Sequence, residues 1–171
     1  MPNWVTHNVK VTWTKEEVKG FVDDITNEEG NIDFNNIIPM PENIFRGNLW
    51  REEREKYWKN NWYDWSIDNW GTKWNACDTN VVLWDNDAFI FINTAWSTPV
   101  PIWDKIAEKI KDTSIELNID FADEDLGSNC WSIDILNWEV KYIDHDWDME
   151  FAAQVCYWDD AEDILKEIRE E

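Results

Sequence analysis

Glycine is scarce in this chain, and so are histidine, cysteine and positive charge. Each shortage closes off a class of chemistry. With 5 glycines spread over 171 residues, there is no glycine-rich loop to cradle a phosphate and no nucleophile elbow. The two histidines, His7 and His145, leave little for acid–base work. His7 falls on the apolar side of an alternating segment, where a packed core histidine is expected. Cys77, Cys130 and Cys156 are odd in number and lack metal-type spacing. That pattern suits buried thiols in a reducing compartment better than a disulfide framework. Cys77 stands beside Asp78, whose charge raises a thiol pKa instead of activating it. Apolar runs of about 18 residues are absent, and the opening MPNWVTHNVKVTW has no apolar signal core. A cytoplasmic protein, with no membrane contact and no enzyme activity, is the expectation.

The shortage of bases is the most informative one. Fifteen Lys and Arg against 37 Asp and Glu leave a net charge of −22. The imbalance is uneven: residues 113–171 hold 18 acids and 3 bases, whereas residues 1–112 hold 19 and 12. Such a charge repels DNA, RNA and anionic membranes, attracts basic proteins, and costs stability through self-repulsion. Solubility alone is the competing explanation. Disorder is not expected, because 43% of the residues are hydrophobic and 15 of them are tryptophan.

The alternation of Val5, His7, Val9, Val11 and Trp13 with polar neighbours predicts a strand. Thr14 and Glu17 form a capping-box pair ahead of Val18, Phe21, Val22 and Ile25 at helical spacing. Residues 80–84 and 88–93 read as a hairpin. Pro99 and Pro101 open a helix whose stripe is Ile102, Ile106, Ala107 and Ile110. Residues 115–121 alternate again. The order is β-α-β-β-α-β, so an α+β, ferredoxin-like domain is predicted over 1–125. It carries an insertion at 35–78, with a helix near residues 50–59 and a Trp-rich segment after it. An acidic extension over 126–171 is expected to add strands across 128–151 and a last helix from Asp159, packing through Ala161, Ile164, Leu165 and Ile168. Acids at the start of that helix suit its dipole; Glu170 and Glu171 at its end oppose it.

Four segments carry a family resemblance: MPNW at the start, DFNNIIPMPE from Asp33, WSIDNWGTKWNACD from Trp65 and NTAWSTPVP from Asn93. Together they resemble the Api92-like (YubB-type) proteins with a ferredoxin-like domain. The resemblance covers roughly residues 1–125. It implies the same fold and an origin in phages or conjugative plasmids, and it brings no catalytic residues.

Two groups of residues are candidates for function. Trp65, Asn69, Trp70, Trp74 and Asn75 offer aromatic faces and amides suited to a small ligand or nucleotide. The same tryptophans also suit packing of the insertion onto the sheet. An exposed Phe89/Phe91 platform would suit RNA, but the charge opposes it.

The second group is acidic: Asp120, Asp123, Glu124, Asp125, Asp134, Asp144, Asp146, Asp148, Glu150, Asp160, Glu162, Asp163 and Glu167. Asp144, Asp146 and Asp148 match the first, third and fifth positions of an EF-hand loop, but Met149 stands for its glycine and Val155 for its last glutamate. The alternation of DHDWDMEF instead predicts a strand, with same-face acids about 6.7 Å apart. That spacing is too wide for ligands that must all lie about 2.3–2.6 Å from one cation. No metal and no cofactor are expected. His145, Trp147 and Met149 would fall on the opposite, packing face. Duplex DNA carries a charge about every 3.4 Å along each strand. Two or three neighbouring acidic elements approach that density, with Trp147 or Trp158 as anchors. The expected partner is a basic host protein, a nucleic-acid-binding nuclease or CRISPR effector. The expected role is inhibition by nucleic-acid mimicry, of the anti-CRISPR or anti-restriction type.

Overall fold

The computed structural model describes residues 3–136 and 139–170. Its centre is a six-stranded antiparallel sheet in the order β2-β3-β1-β4-β5-β6. β1 (Trp4–Thr12) lies inside it, paired on one side with β3 (Asp87–Ala95) and on the other with β4 (Glu116–Asp123). β2 (Cys77–Leu83) is one edge; β5 (Trp131–Leu136) and β6 (Glu139–Asp144) extend the other.

The pleat sorts each strand's residues between two layers. Val5, Val9 and Val11 of β1, with Ile90, Ile92, Leu117 and Ile119, face the main core. That core is closed by α1 (Lys15–Ile25) and α4 (Val100–Ile110) through Val18, Phe21, Val22, Ile102, Trp103 and Ile106. His7 is fully buried there, between Trp103 and Phe121, with Nε2 2.9 Å from the Thr98 hydroxyl. Burial lowers its pKa to about 3, so the ring is neutral. The Thr14 hydroxyl donates to Glu17 at 2.7 Å, but its side chain caps no backbone N–H of α1.

Residues 26–76 link α1 to β2, and the part expected as an insertion at 35–78 contains more helix than the sequence suggests. α2 (Arg51–Tyr57) matches the expected helix, but the Trp-rich segment is itself helical, α3 (Trp62–Trp70). Asn61 starts α3 by accepting from the N–H groups of Tyr63 and Asp64. Gly71 ends it at φ 78°, where a Cβ would stand 2.8 Å from Pro101 Cδ.

The extension departs most from expectation. β6 stops at Asp144, residues 145–148 turn, and Met149–Tyr157 form α5. DHDWDMEF is therefore a strand end, a turn and a helix start. α5 lies on the sheet face opposite α1 and α4: the Asn8 amide donates to Val155 O at 3.0 Å, and Ala152 and Val155 pack with Ala122 and Cys130. α6 (Ala161–Glu170) follows. Its predicted inward stripe is only partly covered: Ala161 is buried, Ile164 and Leu165 are half-buried and Ile168 is exposed. No helix among the described residues is long and apolar enough to cross a membrane.

Candidate functional site

The predicted acidic surface divides into three groups. Asp120 and Asp134 lie on the sheet face that α5 covers in part, and both are tied: Asp120 accepts from Ser132 Oγ at 2.6 Å, Asp134 from Asn118 at 2.9 Å. Asp123 is buried, accepts from the Asp125 N–H, and has its pKa raised, chiefly by burial. These three do not form an outer face. Glu124, Asp125, Asp160, Glu162 and Asp163 are exposed. The side chains of Glu167, Glu170 and Glu171 lie outside those described.

Asp144, Asp146, Asp148 and Glu150 are exposed as well, but on a turn. The chain turns because its aspartates bind backbone. Asp144 accepts from the Asp146 N–H at 2.8 Å, Asp146 from the Cys130 N–H at 3.1 Å, and Asp148 from the Phe151 N–H at 3.0 Å. Such local bonds compete with a strand ladder, and the last one caps α5. The alternation of acids that mimics a pleat is thus turn chemistry. Trp147 sits at the crest of this turn, 86% exposed. Its φ is 72°, a left-handed conformation that bulky residues rarely adopt.

Trp147 is not alone in this. Trp58, Trp96 and Trp158 have φ of 46°, 80° and 49°, and all three are exposed. Among the described residues these four are most of the non-glycine positions with positive φ. Holding a large ring outward on a strained backbone costs stability, and such outliers cluster where a surface is used.

The aromatic-amide group is placed differently. Trp70 is buried; its indole N–H donates to Ile38 O at 2.9 Å, and its ring meets Phe34 and Trp65 edge-on. Asn75 accepts from the Phe34 N–H and donates to Asp33, and Asn69 donates to Trp65 O. Trp74 packs against Trp4, with the Lys73 ammonium between it and Trp96, 4.5 and 4.6 Å from the two rings. These groups bind one another.

A hydrogen-bonded chain of His145, Ser132 and Asp120 looks like a catalytic constellation. His145 Nε2 is 3.1 Å from Ser132 Oγ. The carboxylate can only accept, so the serine proton points to Asp120 and His145 must donate. A histidine that donates to serine does not activate it. His145 also stacks on Phe151 at 4.0 Å, which fixes the turn to α5. Burial pushes the Cys130 and Cys156 thiols up to about 11, and burial with the Asp78 charge raises Cys77. None of the three is poised as a nucleophile. No cluster of three His, Cys, Asp or Glu side chains with metal-binding geometry occurs among the described residues.

No family model, no curated protein and no solved structure matches this chain.

One site escaped sequence reasoning. Between the sheet, α5 and the Trp158 that follows it lies a cleft of about 230 Å³, lined by Asn8, Phe89, Asp120, Phe151, Gln154, Val155 and Trp158. Trp158 meets Phe89 edge-on at 4.7 Å, so the Phe89 platform is not open. The signal was the polar side of the first strand: Asn8 is an amide aimed at a sheet face that must be covered.

Proposed function

We propose that this protein is a phage- or plasmid-encoded acidic inhibitor of a host nucleic-acid-binding defence protein. It acts by occupying the partner's basic groove, as a nucleic-acid mimic and a steric block. The observation that carries the reading is the turn at 144–150, where exposed acids surround the outward Trp147. Charge steers a basic partner to this surface, and an aromatic ring among the charges supplies an anchor. The ferredoxin-like reading belongs to the same proposal. It is supported by the order β2-β3-β1-β4, with α1 following β1 and α4 following β3.

The turn allows a clean separation of charge from structure. Asparagine accepts the same backbone hydrogen bonds as aspartate, so Asp144→Asn, Asp146→Asn and Asp148→Asn together remove three charges and keep the turn. Capture of proteins from a bacterial host lysate at low and at 0.5 M salt tests the proposal. A basic nucleic-acid-binding protein retained only at low salt, displaced by DNA or guide RNA, and lost with the triple variant is the expected result. Retention unchanged by salt, or target and nucleic acid bound together, defeats mimicry.

A further inference from the structure

The cleft between the sheet and α5 has a composition that selects its occupant. Its walls are the rings of Phe89, Phe151 and Trp158. Its polar residues are Asn8, Asp120 and Gln154. The Asn8 amide nitrogen is used by Val155 O, whereas Oδ1 is buried and has no hydrogen-bond partner. A buried acceptor left unpaired is unfavourable, so a donor admitted to it by a small movement of the Asn8 side chain relieves that cost. Asp120 receives one hydrogen bond, from Ser132; a carboxylate has about four lone-pair sites.

We propose that this cleft binds a guanidinium group. A guanidinium is planar, stacks on aromatic faces, carries a full positive charge and presents five donors in one plane. It meets aromatic walls and a carboxylate with one small group, and its remaining N–H groups are donors of the kind Asn8 Oδ1 lacks. An ammonium ion has no plane to stack and is held more strongly by water. A neutral base leaves the carboxylate uncompensated. A nucleotide brings phosphate toward the adjoining hollow, which is lined by Glu150 and Glu162 as well as Lys166. The volume of about 230 Å³ suits a side-chain head rather than a larger ligand. The inference goes beyond the acidic-turn reading and does not need it, since the two sites share no residue.

The test is an NMR titration of the full chain with N-acetyl-L-arginine N-methylamide, beside its citrulline and lysine counterparts at constant ionic strength. Citrulline keeps the shape and loses the charge. The expected result is saturable shifts in the side-chain amides of Asn8 and Gln154 and in the Trp158 indole. The citrulline and lysine compounds should bind at least about tenfold more weakly, the scale of one charge-assisted hydrogen bond. Asp120→Asn keeps the Ser132 bond and should lose a similar factor. Trp158→Gly relieves a positive φ while removing one wall; it should weaken binding even if Asp120→Asn folds poorly. Free L-arginine distinguishes the sources of the group. Tighter binding than the blocked compound marks a site for the amino acid; equal or weaker binding marks one for an arginine of a protein. Equal binding of the arginine and lysine compounds, shifts confined to the exposed acids, or no binding at millimolar concentration overturns the proposal.

Discussion

Trp70, between α1 and β2, and Trp147, in the turn before α5, are one residue type used in opposite ways. In the insertion Trp70 is 3% exposed and fully hydrogen-bonded, and Lys73 is held between two indoles. In the extension Trp147 is 86% exposed, and neighbouring acids spend their side chains on turning the backbone that carries it. Trp70 serves the cohesion of its own segment, whereas Trp58 in that segment, 75% exposed at φ 46°, is held outward as Trp147 is. Trp147 is held outward at a cost in backbone conformation.

The contrast predicts a graded series of effects. Trp70→Ala should be the most damaging, losing about 3–5 kcal/mol in urea unfolding, because it empties a packed site and orphans Ile38 O. Asn61→Ala should cost about 1–2 kcal/mol, since Asn61 is buried and caps α3. In the extension Asp148→Ala should cost only about 1 kcal/mol, read from the same unfolding curves. Trp147→Gly should leave stability unchanged or raise it by up to about 1 kcal/mol, while abolishing partner capture. A large loss of stability from Trp147→Gly would erase the distinction between the two tryptophans.

Acid should weaken the protein from within the shared core. His7 has a folded pKa of about 3 against 6.5 for the ordinary side chain, so the unfolded state binds the extra proton. Its contribution is complete above pH 6.5 and is lost as pH falls toward 3, at about 1.4 kcal/mol per pH unit. Denaturation measured from pH 7 to 5 should show this slope, and His7→Gln should flatten it.

How much of this could be read beforehand depended on how local the signal was. β1, β3 and β4 announce themselves by alternation, and α1 and α4 by a 3.6-residue stripe, because each has one face in the core. α3 was hidden by a composition of Trp, Asn and Asp that has little helix preference; Asn61 and Gly71 were the available signals. α5 was hidden by the alternating acids, although Phe151, Ala152, Val155 and Cys156 keep a helical spacing. The stretch just before it reads as a pleat, although the side chains of Asp144, Asp146 and Asp148 answer to backbone N–H groups of a turn. The cleft was beyond reach, since Asn8, Phe89, Asp120 and Trp158 meet only through the fold.

The interior position of β1 has a consequence for synthesis. Its hydrogen-bond partners are residues 87–95 and 116–123, so β1 leaves the ribosome long before anything exists to pair with it. At roughly 5–20 residues per second, that wait lasts seconds. During it a half-apolar strand with two open edges is exposed to the cell. α5, which emerges later still, covers part of the face that carries Asn8. A chain stalled before α5 would present that face unfinished, and is the form most in need of a chaperone.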